Sequence, residues 1–244
     1  MKATRGMFGF ALAVVSAVVT GAAFGADYHW TGDAGDGKWS TPGNWADSSG
    51  AAKGEAPMSG TAYSYDFSKH ADGEVVVQDV ASVIASEMTI GAGALTIQSA
   101  ANCKFAFNKG DAEIPVTLNN SATFTMKMDV SSDANTKGIN LTGTGTVVLD
   151  WPSPCKGERK ININAAGVTL RLANATAAKN TFVALNVRAK LVLDCDAYVK
   201  DLIYEWNDSN HLGSSVALNG HTLTVGAGYD QWSAHTSKNT YVGN

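Results

Sequence analysis

The sequence predicts an all-β protein, a parallel β-helix or β-solenoid with rungs of about 22 residues and a tryptophan-rich N-terminal cap. Three observations predict it. Short strands that alternate apolar and polar residues recur along the chain, each opened by Gly or Asn. Their inward apolar positions keep a near-constant period. The composition is apolar and lightly charged, with 45% hydrophobic and 16% charged residues among 244, and ample Val, Ile, Leu and Phe separate it from a disordered chain. Gly numbers 25 and Pro 5, which excludes collagen-like and proline-rich classes. The net charge of −4 argues against nucleic acid held by a basic surface.

In chain order, the first element is a leader. Lys2 and Arg5 precede an apolar run from Met7 to Thr20, and small residues Gly21 to Ala26 follow. That order marks a secretory signal peptide over residues 1–25, with cleavage after Ala23 or Gly25. The run is short for the roughly 20 residues of a spanning helix, so no transmembrane span is expected once it is removed. Removal leaves 16 basic against 22 acidic residues, a balance of −6. Residues 26–73 read as a cap segment, 74–228 as the solenoid and 229–244 as the C-terminal end.

The solenoid reading rests on two ladders. Leu95, Phe124, Val147, Leu170, Leu191 and Leu223 are separated by 29, 23, 23, 21 and 32 residues. Met88, Val116, Ile139, Ile161, Val183 and Val216 are separated by 28, 23, 22, 22 and 33, always seven to nine residues ahead of the first set. A unit this short holds two or three strands and no helix. Alternation as in Leu170-Arg171-Leu172 buries one face and wets the other. Stacked units then bury a continuous apolar column. An antiparallel β-sandwich also has short strands and frequent turns, but it does not predict matched ladders. The excess length before the second and last units suggests insertions near residues 98–112 and 194–213. The latter is read as an extra strand, Tyr198 to Trp206, and a polar loop, Asn207 to Asn210.

Export permits disulfides. Cys103, Cys155 and Cys195 leave one thiol over, and none has metal-ligand spacing. They read as small buried apolar residues, with Cys155–Cys195 the pair to expect if a bridge forms.

The segment Trp30-Thr31-Gly32 to Gly37-Lys38-Trp39-Ser40, then Asn44-Trp45, is followed by Pro57-Met58-Ser59-Gly60 and an aromatic strand, Tyr63 to Phe67. This opening resembles that of secreted bacterial proteins with autotransporter-associated β-strand repeats. Leu141 to Leu149, Gly157 to Leu170, and Leu218 to Gly226 resemble the repeat itself. The resemblance implies a passenger-like stem at the surface of a Gram-negative-type envelope, or in the medium. The chain departs from that family in having no C-terminal run of barrel strands. It reads either as a short secreted form or as the open end of a longer product.

Candidate site residues follow from the same ladders. Trp30, Trp39 and Trp45 suit a cap over the first rung, or else a flat sugar-stacking platform. Asp33 and Asp36, in a Gly-rich loop, could offer oxygens to calcium. Asp194 and Asp196, read as pointing the same way on one strand, give a weaker hint of the same kind. Asp150 and Asp194 follow equivalent strands two units apart, with Ala173 between. Spaced on the order of 10 Å apart, two rungs of about 4.8 Å, they could cleave sugars by inversion beside Arg171. They could equally form a surface ion cluster with Arg171. No hydrolase or metalloprotease signature is present. Asn119, Asn140, Asn174 and Asn207 head sequons that the Asn- and Thr-rich composition explains. The expected function is therefore non-enzymatic: an exported solenoid, structural or adhesin-like, without a cofactor. The alternatives are a carbohydrate-active lyase or glycosidase and a carbohydrate-binding module. Expected partners are extracellular polysaccharide or other envelope components, and a second chain stacked end to end on an exposed rung.

Overall fold

The computed structural model describes residues 27–110, 112–131, 138–153, 159–179, 181–185, 189–204, 214–226 and 239–242. The leader, Cys155 and the loop Asn207–Asn210 lie outside the described residues. The described residues are nearly all β and form a β-solenoid of about 6 turns with rungs of roughly 23 residues. The strands lie on three faces, though not every rung places a described strand on each.

Strands β1 (Tyr28–Trp30) and β2 (Trp45–Ala46) pair antiparallel and start the first face, with a single 3-10 turn at Pro42–Asn44 between them. In the first full rung β3 (Ala62–Phe67) starts on the third face and runs onto the first from Ser64, and β4 (Glu74–Gln78) lies on the second. β5 (Ser82–Ile90) crosses a corner, with residues 82–85 on the third face and 88–90 on the first, and β6 (Ala94–Ser99) takes the second. β7 (Lys104–Phe107) lies on the third face, and β8 (Ile114–Lys127) covers the first and second. β9 (Val130–Ser131) and β10 (Ile139–Leu149) repeat that arrangement. β11 (Arg159–Ile163), β12 (Gly167–Leu172), β13 (Thr181–Leu185) and β14 (Lys190–Leu193) alternate between first and second faces. β15 (Ala197–Val199), β16 (Asp201–Tyr204), β17 (Ser215–Ala217) and β18 (Thr222–Val225) occupy the third, first, second and third faces. β19 (Asn239–Val242) closes the series antiparallel to β18.

Parallel pairing stacks like on like. On the first face Tyr28, Tyr65, Met88, Val116, Leu141, Ile163 and Leu185 form one column of register partners, all buried. On the second face Leu95, Phe124, Val147, Leu170 and Leu191 do the same, and Ile97, Met126, Leu149, Leu172 and Leu193 form a neighbouring column. These side chains meet those of the other faces in one continuous core.

The first ladder expected from the sequence is correct from Leu95 to Leu191. Its last member is not. Leu191 pairs with Val216, and Leu223 pairs with Ala197 on the third face. In the second ladder Val116 pairs with Leu141 rather than Ile139, and Val183 with Leu202 rather than Val216. The reason is periodicity: residues two apart are equivalent on a strand, so the pattern alone leaves the register free by one such step. The two suspected insertions are also ordinary rungs in part. Residues 98–112 contain the third-face strand β7. Tyr198 to Trp206 is not one strand, because the described part turns a corner at Lys200 between β15 and β16.

One corner shows why glycine is required. β8 turns through Asn120 and Ser121 at positive φ, and β10 turns beside it through Gly143 at φ 85°. A Cβ on Gly143 would lie 2.0 Å from the Leu118 carbonyl oxygen. Only glycine permits rung-to-rung contact there.

Two substitutions separate core from surface. Leu170→Ala, at a fully buried position, is expected to lower stability by about 2–5 kcal/mol. Its outward neighbour Thr169→Ala should stay within about 0.5 kcal/mol. Urea unfolding followed by circular dichroism measures both.

Candidate functional site

The two places singled out by the sequence, the tryptophan opening and the acidic ladder, are both well described. The opening is an aromatic plug. Trp30, Trp39 and Trp45 are 0%, 0% and 1% exposed. Trp45 packs edge-on against Trp30 and Trp39, with ring centroids 5.0 and 4.9 Å away, and Trp39 stands edge-on to Tyr65 at 4.9 Å. The plug reaches into the stack through Trp39 and Phe105. The sugar-platform expectation is therefore corrected: none of the three indoles turns a face to solvent, which stacking on a sugar requires.

The plug is held by polar groups that sequence reading passed over. Trp30 Nε1 donates to Glu74 Oε1 at 2.8 Å, and Trp45 Nε1 to the Trp39 carbonyl at 2.8 Å. Glu74 is the register partner of Leu95, so a carboxylate ends the apolar column beneath the cap. A lone acidic residue heading Glu74-Val75-Val76-Val77 is the signal that could have marked it. Asn44 is fully buried and uses its whole amide. Its Nδ2 donates to Asp36 Oδ1 and the Lys38 carbonyl, and its Oδ1 accepts from Ala34 N–H. Residues 37–39 close the lower edge of β4. Trp39 N–H donates to the Val77 carbonyl and Val77 N–H to the Gly37 carbonyl. Gly37 has φ 64°, and a Cβ there would lie 2.8 Å from the Val75 carbonyl oxygen, so this edge cover also needs glycine.

Asp36 organises the loop instead of offering itself to a cation. It accepts from Lys38 N–H at 3.0 Å, Asn44 Nδ2 at 2.7 Å and Thr41 Oγ1 at 2.6 Å. These bonds, that from Thr41 foremost, hold its carboxyl down at about 2. Asp33 is exposed, with its N–H on Thr31 Oγ1. Asp194 and Asp196 do not share a strand: they flank the corner between β14 and β15. Asp196 accepts from Thr222 N–H at 2.8 Å, with His221 Nδ1 at 3.6 Å. Among the described residues no group of three or more His, Cys, Asp or Glu comes together.

The acidic ladder has the expected order. Asp150 N–H bonds to the Met126 carbonyl, Ala173 N–H to Leu149 and Asp194 N–H to Leu172. Lys127, Asp150, Ala173 and Asp194 thus extend one column at the end of the second face. The charges, however, are partnered along it. Arg171 Nε and a second guanidinium nitrogen grip the two Asp194 oxygens at 3.0 and 2.5 Å. This bidentate contact raises the guanidinium above its ordinary value. Asp150 lies 3.8 Å from Lys127 Nζ. The expected Asp150–Arg171–Asp194 cluster is corrected to two pairs, Lys127–Asp150 and Arg171–Asp194.

Cys195 follows this column as a free, half-buried thiol, and so does not bridge to Cys155. Its Sγ lies 3.6 Å from the Leu172 carbonyl. Burial first, then the charges of Asp194, Asp196 and Asp150, push the thiol up. Cys103 is likewise free and half-buried, so neither is the fully buried apolar residue expected. Among the described residues no helix is long and apolar enough to cross a membrane. Comparison of the chain with protein-family models, curated proteins and solved structures returns no match.

Asp36 sets an acid limit for the cap. Its folded value is lowered from 3.8 to about 2, so its stabilising effect is complete above 3.8 and is lost as pH falls through about 2. The stability difference between wild type and Asp36→Asn should be full at neutral pH and vanish toward pH 2; tryptophan fluorescence during urea unfolding reads it. Asp194→Ala, breaking a largely solvated pair, should cost under about 1 kcal/mol in the same assay.

Proposed function

We propose that this chain is an exported, non-enzymatic β-solenoid of the cell surface or medium of a Gram-negative-type envelope, with a structural or adhesin-like role. The observation that carries the reading is the parallel stack of rungs. It uses the opening tryptophans to close its own end, and pairs the charges of its acidic column with neighbouring rungs. What it offers outward is a polar, Thr-, Asn- and Ser-rich surface, with Thr residues stacked in columns such as Thr123, Thr146 and Thr169. Such a surface suits many weak contacts with polysaccharide or other envelope components. The leader-like N-terminal sequence supports export, and the tryptophan opening and repeat pattern support an autotransporter-associated β-strand repeat stem.

One observation favours a second reading, a carbohydrate-active enzyme: Asp150, Ala173 and Asp194 do share a column, on the order of 10 Å from end to end at the usual rung spacing. Against it, Arg171 is already engaged by Asp194, so the acid and the cation neutralise each other. A polysaccharide-cleavage screen and a glycan array, run on the purified chain beside Asp150→Ala/Asp194→Ala, decide between the two. The expected result is no cleavage by either protein. Cleavage by the wild type that the double variant loses would overturn the structural reading. Protease added to intact expressing cells should digest the chain; full protection would place it inside the envelope and end the surface assignment.

A further inference from the structure

The outer side of the first face carries a polar cluster that neither the cap nor the acidic column uses. Asn140 on β10 and Asn162 on β11 are register partners on adjacent rungs. Each alternates with inward residues, Ile139 and Leu141 in one case, Ile161 and Ile163 in the other, so both project outward. Asn162 is nevertheless only 3% exposed. Glu113 precedes Ile114, the partner of Ile139 on the rung below. Its Oε1 reaches past the β10 rung to accept a hydrogen bond from Asn162 Nδ2.

This leaves a set of acceptors without donors. The Oδ1 atoms of Asn140 and Asn162 are both fully buried, and neither has a hydrogen-bond partner. An unsatisfied buried acceptor is costly, and here two occur one rung apart beside a carboxylate. Adjacent strands are about 4.8 Å apart. The stacked amides thus present two neutral oxygen donors one rung apart, the hard ligand type that calcium takes in flexible geometry and that magnesium, with its strict octahedral demand, suits less well.

We propose that Asn140, Asn162 and Glu113 form a calcium site on the first face. The two amide oxygens are ligands, Glu113 supplies the negative charge, and water completes the shell. A single carboxylate places the site in the weak class used by extracellular modules, with a dissociation constant of about 10⁻⁴–10⁻³ M. Bound calcium would tie β8, β10 and β11 together from outside, where the inner columns cannot. The proposal is independent of the surface-stem reading.

The test is calorimetric titration of the calcium-free full chain with CaCl₂ alone, and thermal unfolding with and without about 10 mM CaCl₂, some ten times the weakest affinity of that class. The expected result is binding in the stated range and an unfolding temperature that rises with calcium concentration, with a smaller rise in MgCl₂. Glu113→Gln keeps an acceptor for Asn162 while removing the charge, and should weaken calcium at least tenfold. Asn140→Ala should abolish the response, whereas Asp33→Asn should leave it unchanged. No calcium-dependent shift in the wild type, or a shift that survives both Glu113→Gln and Asn140→Ala, would overturn the site.

Discussion

The in-register hydrogen bonding of each rung to the next is the constraint on which the rest of this structure depends. Parallel strands about 4.8 Å apart place each paired side chain over its counterpart one turn away. An inward position must therefore suit the column above and below it. The second-face column from Leu95 through Phe124, Val147 and Leu170 to Leu191 changes shape at each step while staying apolar throughout. Outward positions obey the same geometry with other chemistry. Thr117 and Thr142 hydroxyls meet at 3.2 Å along one column, and Arg171 reaches Asp194 along another.

A stack of this kind is open at its ends, where strand edges carry unpaired N–H and C=O groups. The N-terminal end deals with both backbone and side chains. β2 runs antiparallel on β1, residues 37–39 bond to Val77, and the indoles fill the space beneath the first apolar rung. Polar groups needed to hold this plug are paired inside it, as with Trp30 on Glu74 and Asn44 on Asp36. At the other end β19 turns antiparallel on β18 and covers the edge of the third face.

The same columns govern the electrostatics. Like charges on neighbouring rungs would repel at close range, and the chain avoids this with Ala173 between Asp150 and Asp194 and with cations one rung away from each. At Asn140 and Asn162 two buried amide acceptors stack one rung apart without donors, and the proposed calcium site rests on that pair.

The sequence by itself determined the solenoid, its rung length and its principal column, because alternation of apolar residues and the placing of Gly and Asn at corners are local properties repeated many times. It also determined the order Asp150, Ala173, Asp194, since three similar strand ends mark equivalent places. It did not determine register within two residues, as Ile139 and Leu141 are equally good partners for Val116 by pattern. Nor did it assign Leu223 to a face, because Thr-Leu-Thr-Val reads alike on any of the three. Tertiary structure alone decided that Trp30, Trp39 and Trp45 point inward, that Arg171 belongs to Asp194 and Asp150 to Lys127, and that Glu113 meets Asn162 across 49 residues of chain. Those outcomes turn on which side chains the three faces bring within reach of one another, a property of the stack and not of any segment in it.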